Sequence, residues 1–231
     1  MPTTRDIAGL VERQLRNWEL GRDQALKQTR SRDRTVEHFV AISRAVGAGG
    51  NTIGAGLGER LGWPVFNGEI LRIMAGDDAV RTRLYERLDE HDTTWLESVL
   101  RWALGEEIRR DDYFHKLTRT VLALARQGHA IFVGRAADLI LPQDRGLRVR
   151  LCAPLDVRVR AYAELHKLDP RIARARVQQI DRQRDQFVRR HFGVHADDVL
   201  RFDMTLNTGQ LSHAEAAEII QAALRVKKIV D

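Results

Sequence analysis

One segment constrains this chain more than any other. His38-Phe39-Val40-Ala41-Ile42 is a short apolar run, followed at once by Ser43-Arg44-Ala45-Val46-Gly47-Ala48-Gly49-Gly50-Asn51-Thr52. Ile53, Leu57 and Leu61 then recur at helical spacing up to Gly62. A strand that runs through a glycine-rich turn into a helix leaves the first helical N–H groups free beside the strand's carboxyl end. Such a helix N-terminus carries partial positive charge, and glycines let the backbone curl around an anion's oxygens. Gly47, Ala48, Gly49, Gly50, Asn51 and Thr52 are therefore a candidate phosphate cradle. A side-chain oxygen of Thr52 or Asn51 would meet a phosphate-bound Mg²⁺. The strict pattern G-x-x-x-x-G-K-[ST] is not met: Gly50 stands where its lysine would, and Arg44 where its first glycine would. The residues alone leave two readings open, a phosphate cradle and a tight turn that needs glycine for positive φ.

The rest of the chain repeats the same alternation. Pro64-Val65-Phe66 reads as a second short strand, and residues 69–127 read mainly as helices. Their apolar stripes are Ile70, Leu71, Ile73 and Met74; then Trp95, Leu96, Val99, Leu100 and Leu104; then Leu117, Val121, Leu122 and Leu124. Ala130-Ile131-Phe132-Val133 is a continuous apolar run that suits a central strand buried on both faces. Leu147–Cys152 alternates and suggests a strand nearer an edge. Residues 155–190 are helical and basic, 202–207 form a last strand, and 213–226 a closing amphipathic helix. Strands separated by helices, with no hairpin signals, predict a parallel sheet flanked by helices. Residues 1–35 stand apart as an amphipathic helix (Ile7, Leu10, Val11, Leu15, Trp18) and a charged connector. That helix is expected to pack on the main domain or on a second subunit, making a homodimer.

Charge decides what such a fold is for only through its placement. Lys+Arg number 38 against 32 Asp+Glu, and 33 of the 38 are arginines. Arginine makes planar bidentate contacts with phosphate and carboxylate that lysine cannot copy. A genome rich in G and C would also write arginine for lysine, so the count alone is ambiguous. Arg44 falls at the carboxyl end of the first strand, where ligands of open α/β sheets bind, and a fixed guanidinium there supplies the charge of the absent lysine. Arg135 follows the strongest buried strand and reaches the same edge. The competing readings are a carboxylate-paired surface arginine and a solvated helix start. Residues 156–195 carry Arg158, Arg160, Arg171, Arg174, Arg176, Arg182, Arg184, Arg189 and Arg190. An arginine-rich helical pair of this kind reads as a lid over a phosphate site or as a solvated helix face. Only Phe187 and Phe192 interleave it, which speaks against single-stranded nucleic acid.

The single Cys152 excludes a disulfide framework and a multi-cysteine zinc site, and implies a cytoplasmic chain. No apolar run is long enough to span a membrane. His191 and His195 straddle Gly193, so one helix does not present both as metal ligands.

The motifs together resemble the cytidylate kinase-like family of P-loop nucleoside monophosphate kinases. Ser43–Gly54 is similar to its glycine loop, Val133-Gly134-Arg135-Ala136-Ala137-Asp138 to its second motif, Ile180-Asp181-Arg182-Gln183-Arg184 to its lid and Asp203–Thr208 to its last strand. The resemblance spans about residues 38–225 in one order. It implies a three-layer α/β P-loop kinase-like fold with a five-stranded parallel sheet (residues 36–231), preceded by an N-terminal helical extension. Residues 68–115 would be the helical acceptor-binding insert. It also implies ATP with Mg²⁺ as donor and a nucleoside monophosphate, CMP or dCMP first, as acceptor. Arg135, Asp181 and Asn67 would lie near the acceptor, Arg44, Arg158, Arg182 and Arg184 around the transferred group, and Thr52 on the metal. Three departures stand out: the lysine is missing, Ala136 replaces the aspartate that follows Gly-Arg in true cytidylate kinases, and Asn67 replaces an acidic residue. A non-catalytic nucleotide-binding protein and a nucleic-acid-binding protein are the rival readings.

Overall fold

A computed structural model describes residues 9, 11–13, 36, 38–85, 112–126, 128–143 and 145–231. Five parallel strands form one sheet: β1 (Phe39–Arg44), β2 (Val65–Asn67), β3 (Ala130–Val133), β4 (Gly146–Cys152) and β5 (Met204–Asn207). Their order is β2-β3-β1-β4-β5. β1 lies at the centre, with Phe39 opposite both Ala130 and Gly146.

The side-chain period of two sorts the strands into two cores. Phe39, Ala41, Phe66, Ala130 and Phe132 face one side of the sheet; Val40, Ile42, Ile131, Val133, Leu147, Val149 and Leu151 face the other. The first face is covered by α2 (Gly68–Gly76), α3 (Asp78–Tyr85), α4 (Asp112–Arg126) and α5 (Ala137–Ile140). The second is covered by α1 (Gly50–Leu61) and α8 (His213–Val226), which a Ser212–Glu215 capping box starts. This is the expected three-layer arrangement. Val11 of the amino-terminal segment is buried within the first core, as packing on the main domain requires. The remaining calls on residues 1–35, and those on Trp95–Leu104, lie outside the described residues.

The basic stretch forms two helices, α6 (Leu155–His166) and α7 (Pro170–Phe192). They share a small core with Val46 of the glycine loop: Val159, Ala163, Ala173 and Val177. The far end of α7 is fixed by aromatic contacts. His191 stacks on Phe114 with ring centroids 4.2 Å apart, and Phe187 and Phe192 meet the same ring edge-on at 5.6 and 5.5 Å. Gly193 ends α7 in a left-handed cap, so His195 lies beyond the helix that holds His191.

β4 needs a different explanation from the one its alternation suggests. It sits between β1 and β5, not beside solvent. Its polar face turns inward: Arg148 is buried and donates to the carbonyls of Asp138, Leu141 and Gln143, closing the loop that carries α5. Arg150 faces a cavity.

Candidate functional site

The cavity, about 1130 Å³, opens at the carboxyl ends of β1, β3 and β4, between α2, α5 and α7. Nine arginines and five carboxylates line it, and no lysine. Three of the arginines are ion-paired: Arg158 with Asp181 (2.6 Å), Arg189 with Asp185 (2.9 Å), and Arg201 with Asp138. Among the described residues, Arg44, Arg72, Arg135, Arg150, Arg182 and Arg184 have no such partner. The site is therefore short of negative charge.

The glycine loop forms one wall. Gly49 is the N-cap of α1 in the left-handed region, offers no side chain, and is followed by no acidic residue in the first turn. The first-turn N–H groups of this twelve-residue helix are thus free for an anion. Three devices hold the loop in shape. Thr208 Oγ1 donates to Ala48 O or Cys152 O, both at 3.2 Å, at the ends of the loop and β4. Asp181 Oδ1 accepts from Val46 N at 2.9 Å, while its Oδ2 takes the Arg158 guanidinium. Arg158 also donates to Val46 O (3.1 Å) and Ala153 O (2.9 Å). Gly47, at φ 82°, lies so close to the Arg158 carbonyl that a Cβ would overlap it. His213, at the start of α8, lies equally close against Gly49.

Arg44 leaves the end of β1 and crosses the start of α1. A Cβ on Gly50 would stand 2.9 Å from its Cγ, so the space a lysine at 50 would need is taken. Its guanidinium lies against Gly134 at the end of β3. Burial, then Arg184, Arg135 and Arg150, push its pKa down to about 9, with Asp138 opposing them. It stays protonated at neutral pH. Burial also lowers the pKa values of Arg150 and Arg184. Arg184 reaches from α7 to donate to Arg44 O (3.1 Å), Arg150 donates to Ser43 Oγ (2.9 Å), and Arg135 Nε donates to Gly68 O (3.1 Å). Four guanidiniums from β1, β3, β4 and α7 thus gather at one sheet edge. Holding them together without an anion is costly, and a bound phosphate relieves that cost.

The structure brings most of the sequence-selected residues to this cavity and gives several a more specific place. Asn51 lines it, whereas Thr52 is exposed and does not. Asp181 has both oxygens engaged by the loop and Arg158, so it ties α7 to the loop and to α6. Asn67 Oδ1 caps α2 by accepting from Glu69 N and Ile70 N. Arg182 is exposed on the side of α7 that lines the cavity. The sequence assigns no site role to Arg150, Arg201, Asp138 or Gly134: the alternation of β4 points to Arg150, the motif Val133–Asp138 contains Gly134 and Asp138, and nothing local marks Arg201.

Asp185, His195 and Asp197 offer ligand atoms within 4.8 Å of one another. A cation already stands among them: Arg189 places Nη2 2.8 Å from His195 Nδ1 and Nε 2.9 Å from Asp185 Oδ2. Cys152 is half-buried at the end of β4, with Sγ 3.6 Å from Leu206 O, a packing position. No helix among the described residues is long and apolar enough to cross a membrane.

Comparison with known proteins agrees with this geometry. A model of the cytidylate kinase-like family matches residues 39–210. A cytidylate kinase of Methanopyrus kandleri is 24% identical over 200 residues, covering 82% of this chain and 94% of that one. A cytidylate kinase of Halobacterium salinarum is 24% identical over 188 residues, 80% and 88% of the two chains. In three dimensions, an uncharacterized protein from Eubacterium ventriosum superposes with a TM-score of 0.58 at 18% identity, over 82% of this chain and 99% of that one.

Proposed function

The chain belongs to the cytidylate kinase-like family, and on that premise we propose that it transfers the terminal phosphoryl group of ATP to a nucleoside monophosphate, with CMP or dCMP as the leading acceptor. The supporting observation is the pairing of two anion sites at one sheet edge. One is the uncapped start of α1; the other is the cluster of unpaired guanidiniums beside it. The cavity's surplus of arginine over carboxylate suits more than one phosphorylated ligand, since a single phosphomonoester brings only about −1.5 to −2.

Such a transfer is positioning and electrostatics rather than covalent chemistry. The free N–H groups of α1 and the Gly47–Gly50 backbone hold the donor phosphates. Mg²⁺, when bound, would neutralise charge on those phosphates, and Asn51, which lines the cavity, would offer it a side-chain oxygen. Arg44 and Arg184 lie where charge develops on the group in transfer, with the exposed Arg182 on the lid above them. Arg135 and Arg72 face the acceptor's phosphate. Asp181 and Arg158 keep the lid on the loop and so keep water out. No general base is needed, because the attacking phosphate oxygen is already ionised at neutral pH. The names of the relatives, cytidylate kinases, support CMP as the leading acceptor.

One observation favours a second reading, a nucleotide-binding regulatory protein without turnover: glycine stands at the lysine position. A coupled assay with ATP–Mg²⁺ and CMP, dCMP, UMP and AMP separates the two. Turnover led by CMP or dCMP is expected. No turnover with any acceptor, while calorimetry still shows ATP binding, would reject the kinase reading.

A further inference from the structure

We propose that Gly134 is a positioning residue for this site: it forms the seat that delivers the Arg44 guanidinium to the phosphates. The proposal deepens the functional reading above and rests on it only for which ligand the guanidinium meets.

Arg44 is confined at both ends. Its stem passes over Gly50, where a Cβ would lie 2.9 Å from Cγ and 3.3 Å from Cβ. Its head rests on Gly134, where a Cβ would overlap Nη1 and lie 2.7 Å from Nη2. At Gly68, the start of α2, a Cβ would make only ordinary contact with Nη2, at 3.6 Å. Two glycines distant in sequence, Gly50 and Gly134, therefore confine one side chain. The seat itself is fixed, since Gly134 N donates to Ile42 O at 2.9 Å, within the adjoining strand pair.

The backbone after Gly134 is bent to keep the seat open. Gly134, Arg135 and Ala136 all have positive φ (81°, 56° and 54°). Left-handed backbone is strained for a non-glycine residue, and such strain persists only where the surroundings impose it. The turn carries the Arg135 side chain to Gly68 O and leaves the space above Gly134 to Arg44 alone. Among the described residues Arg44 has no ion-pair partner in that seat, and Arg184, Arg135 and Arg150 outweigh the one opposing carboxylate, Asp138. A guanidinium held in place with so little countercharge is preorganised for an anion. In a loop whose own lysine position is glycine, the β3 end therefore does what a lysine stem on α1 would otherwise do.

The positive φ of Gly134 gives it a structural role as well, so the test must separate the two. Gly134→Ala, Arg44→Ala and the double variant form one cycle, read in turnover, in ATP–Mg²⁺ binding by calorimetry and in urea unfolding. Gly134→Ala is expected to lower kcat/KM and ATP affinity at least tenfold. Combined with Arg44→Ala it should add less than twofold to the loss from Arg44→Ala, and its cost in unfolding should fall to the part set by the positive φ of residue 134. Restoring a lysine by Arg44→Gly with Gly50→Lys removes the need for the seat, so Gly134→Ala should then cost little binding. Multiplicative losses across the cycle, or an undiminished loss in the restored loop, would overturn the proposal. If the wild type binds ATP without turnover, the functional reading fails, and the same cycle read by calorimetry still decides the role of Gly134.

Discussion

The gathered guanidiniums predict a conflict between stability and binding that one substitution exposes. Arg44→Met keeps the aliphatic stem over Gly50 and removes the charge at Gly134. Lowering the Arg44 pKa from its ordinary value to about 9 corresponds to at most about 5 kcal/mol of differential interaction, at 1.36 kcal/mol per pH unit. The cavity is open and Arg44 only half-buried, so screening cuts this to about 1–2 kcal/mol. The ligand-free Met variant should therefore melt higher than the wild type, by roughly 2–8 °C for a chain of this size. The sign follows from linkage. Above about pH 9 the unfolded chain holds the Arg44 proton more tightly than the folded one. The wild type's handicap is thus full below pH 9 and shrinks as pH rises through that value. Sulfate should stabilise the wild type more than chloride at equal ionic strength and should lose most of that advantage in the variant. Differential scanning fluorimetry in both salts at pH 7 and pH 9.5 measures this. A Met variant that melts below the wild type in chloride, or that gains as much from sulfate, would refute the reasoning that these charges are held at a cost for an anionic ligand.

Two further substitutions separate framework from substrate contact. Asp181→Asn keeps the shape but sets an amide against Arg158, so unfolding stability should fall by about 1.5–3 kcal/mol, the worth of a charged hydrogen bond, and donor KM should rise; unchanged urea unfolding would show that the lid is not tied there. Asn67→Ala removes the cap of α2 and should cost about 1 kcal/mol, with acceptor KM rising a few-fold and donor KM unchanged; a loss above tenfold in acceptor kcat/KM at full stability would instead make Asn67 a substrate contact.

The layers of this fold were legible because burial writes periodicity into sequence. β1, β3 and the glycine turn between β1 and α1 announce themselves through apolar runs and glycines, and α8 ends where its apolar stripe ends. Strand order is not written locally; it follows from the parallel crossovers that place β3 and β4 on either side of β1. β4 shows where the pattern misleads. Its alternating arginines have the period of a half-solvated strand, yet Arg148 is buried among carbonyls and Arg150 faces the cavity. Periodicity reports which side chains share a face, not what lies opposite that face. Asp181 was chosen for its place in the lid motif, but only the fold reveals that Val46 N and Arg158 already engage both of its oxygens.

The absent lysine follows the same logic of position over identity. A loop lysine delivers a point charge on a flexible four-carbon stem that starts from the helix itself. Here the charge starts one strand-end earlier, at Arg44, and has to cross the helix start to reach the same edge. That path needs a longer, planar head and an unobstructed track, and the track is what Gly50 and Gly134 provide. A lysine at 50 and an arginine at 44 would compete for one volume, so the two arrangements exclude each other. Read this way, glycine at the lysine position is the steric condition for the arginine rather than the scar of a lost residue. Arg44→Ala alone should then cost transfer several tens-fold or more, whereas Gly50→Lys alone should add a second cation to an occupied space and gain nothing. A gain of activity from Gly50→Lys in the presence of Arg44 would show that the two groups do not share that volume.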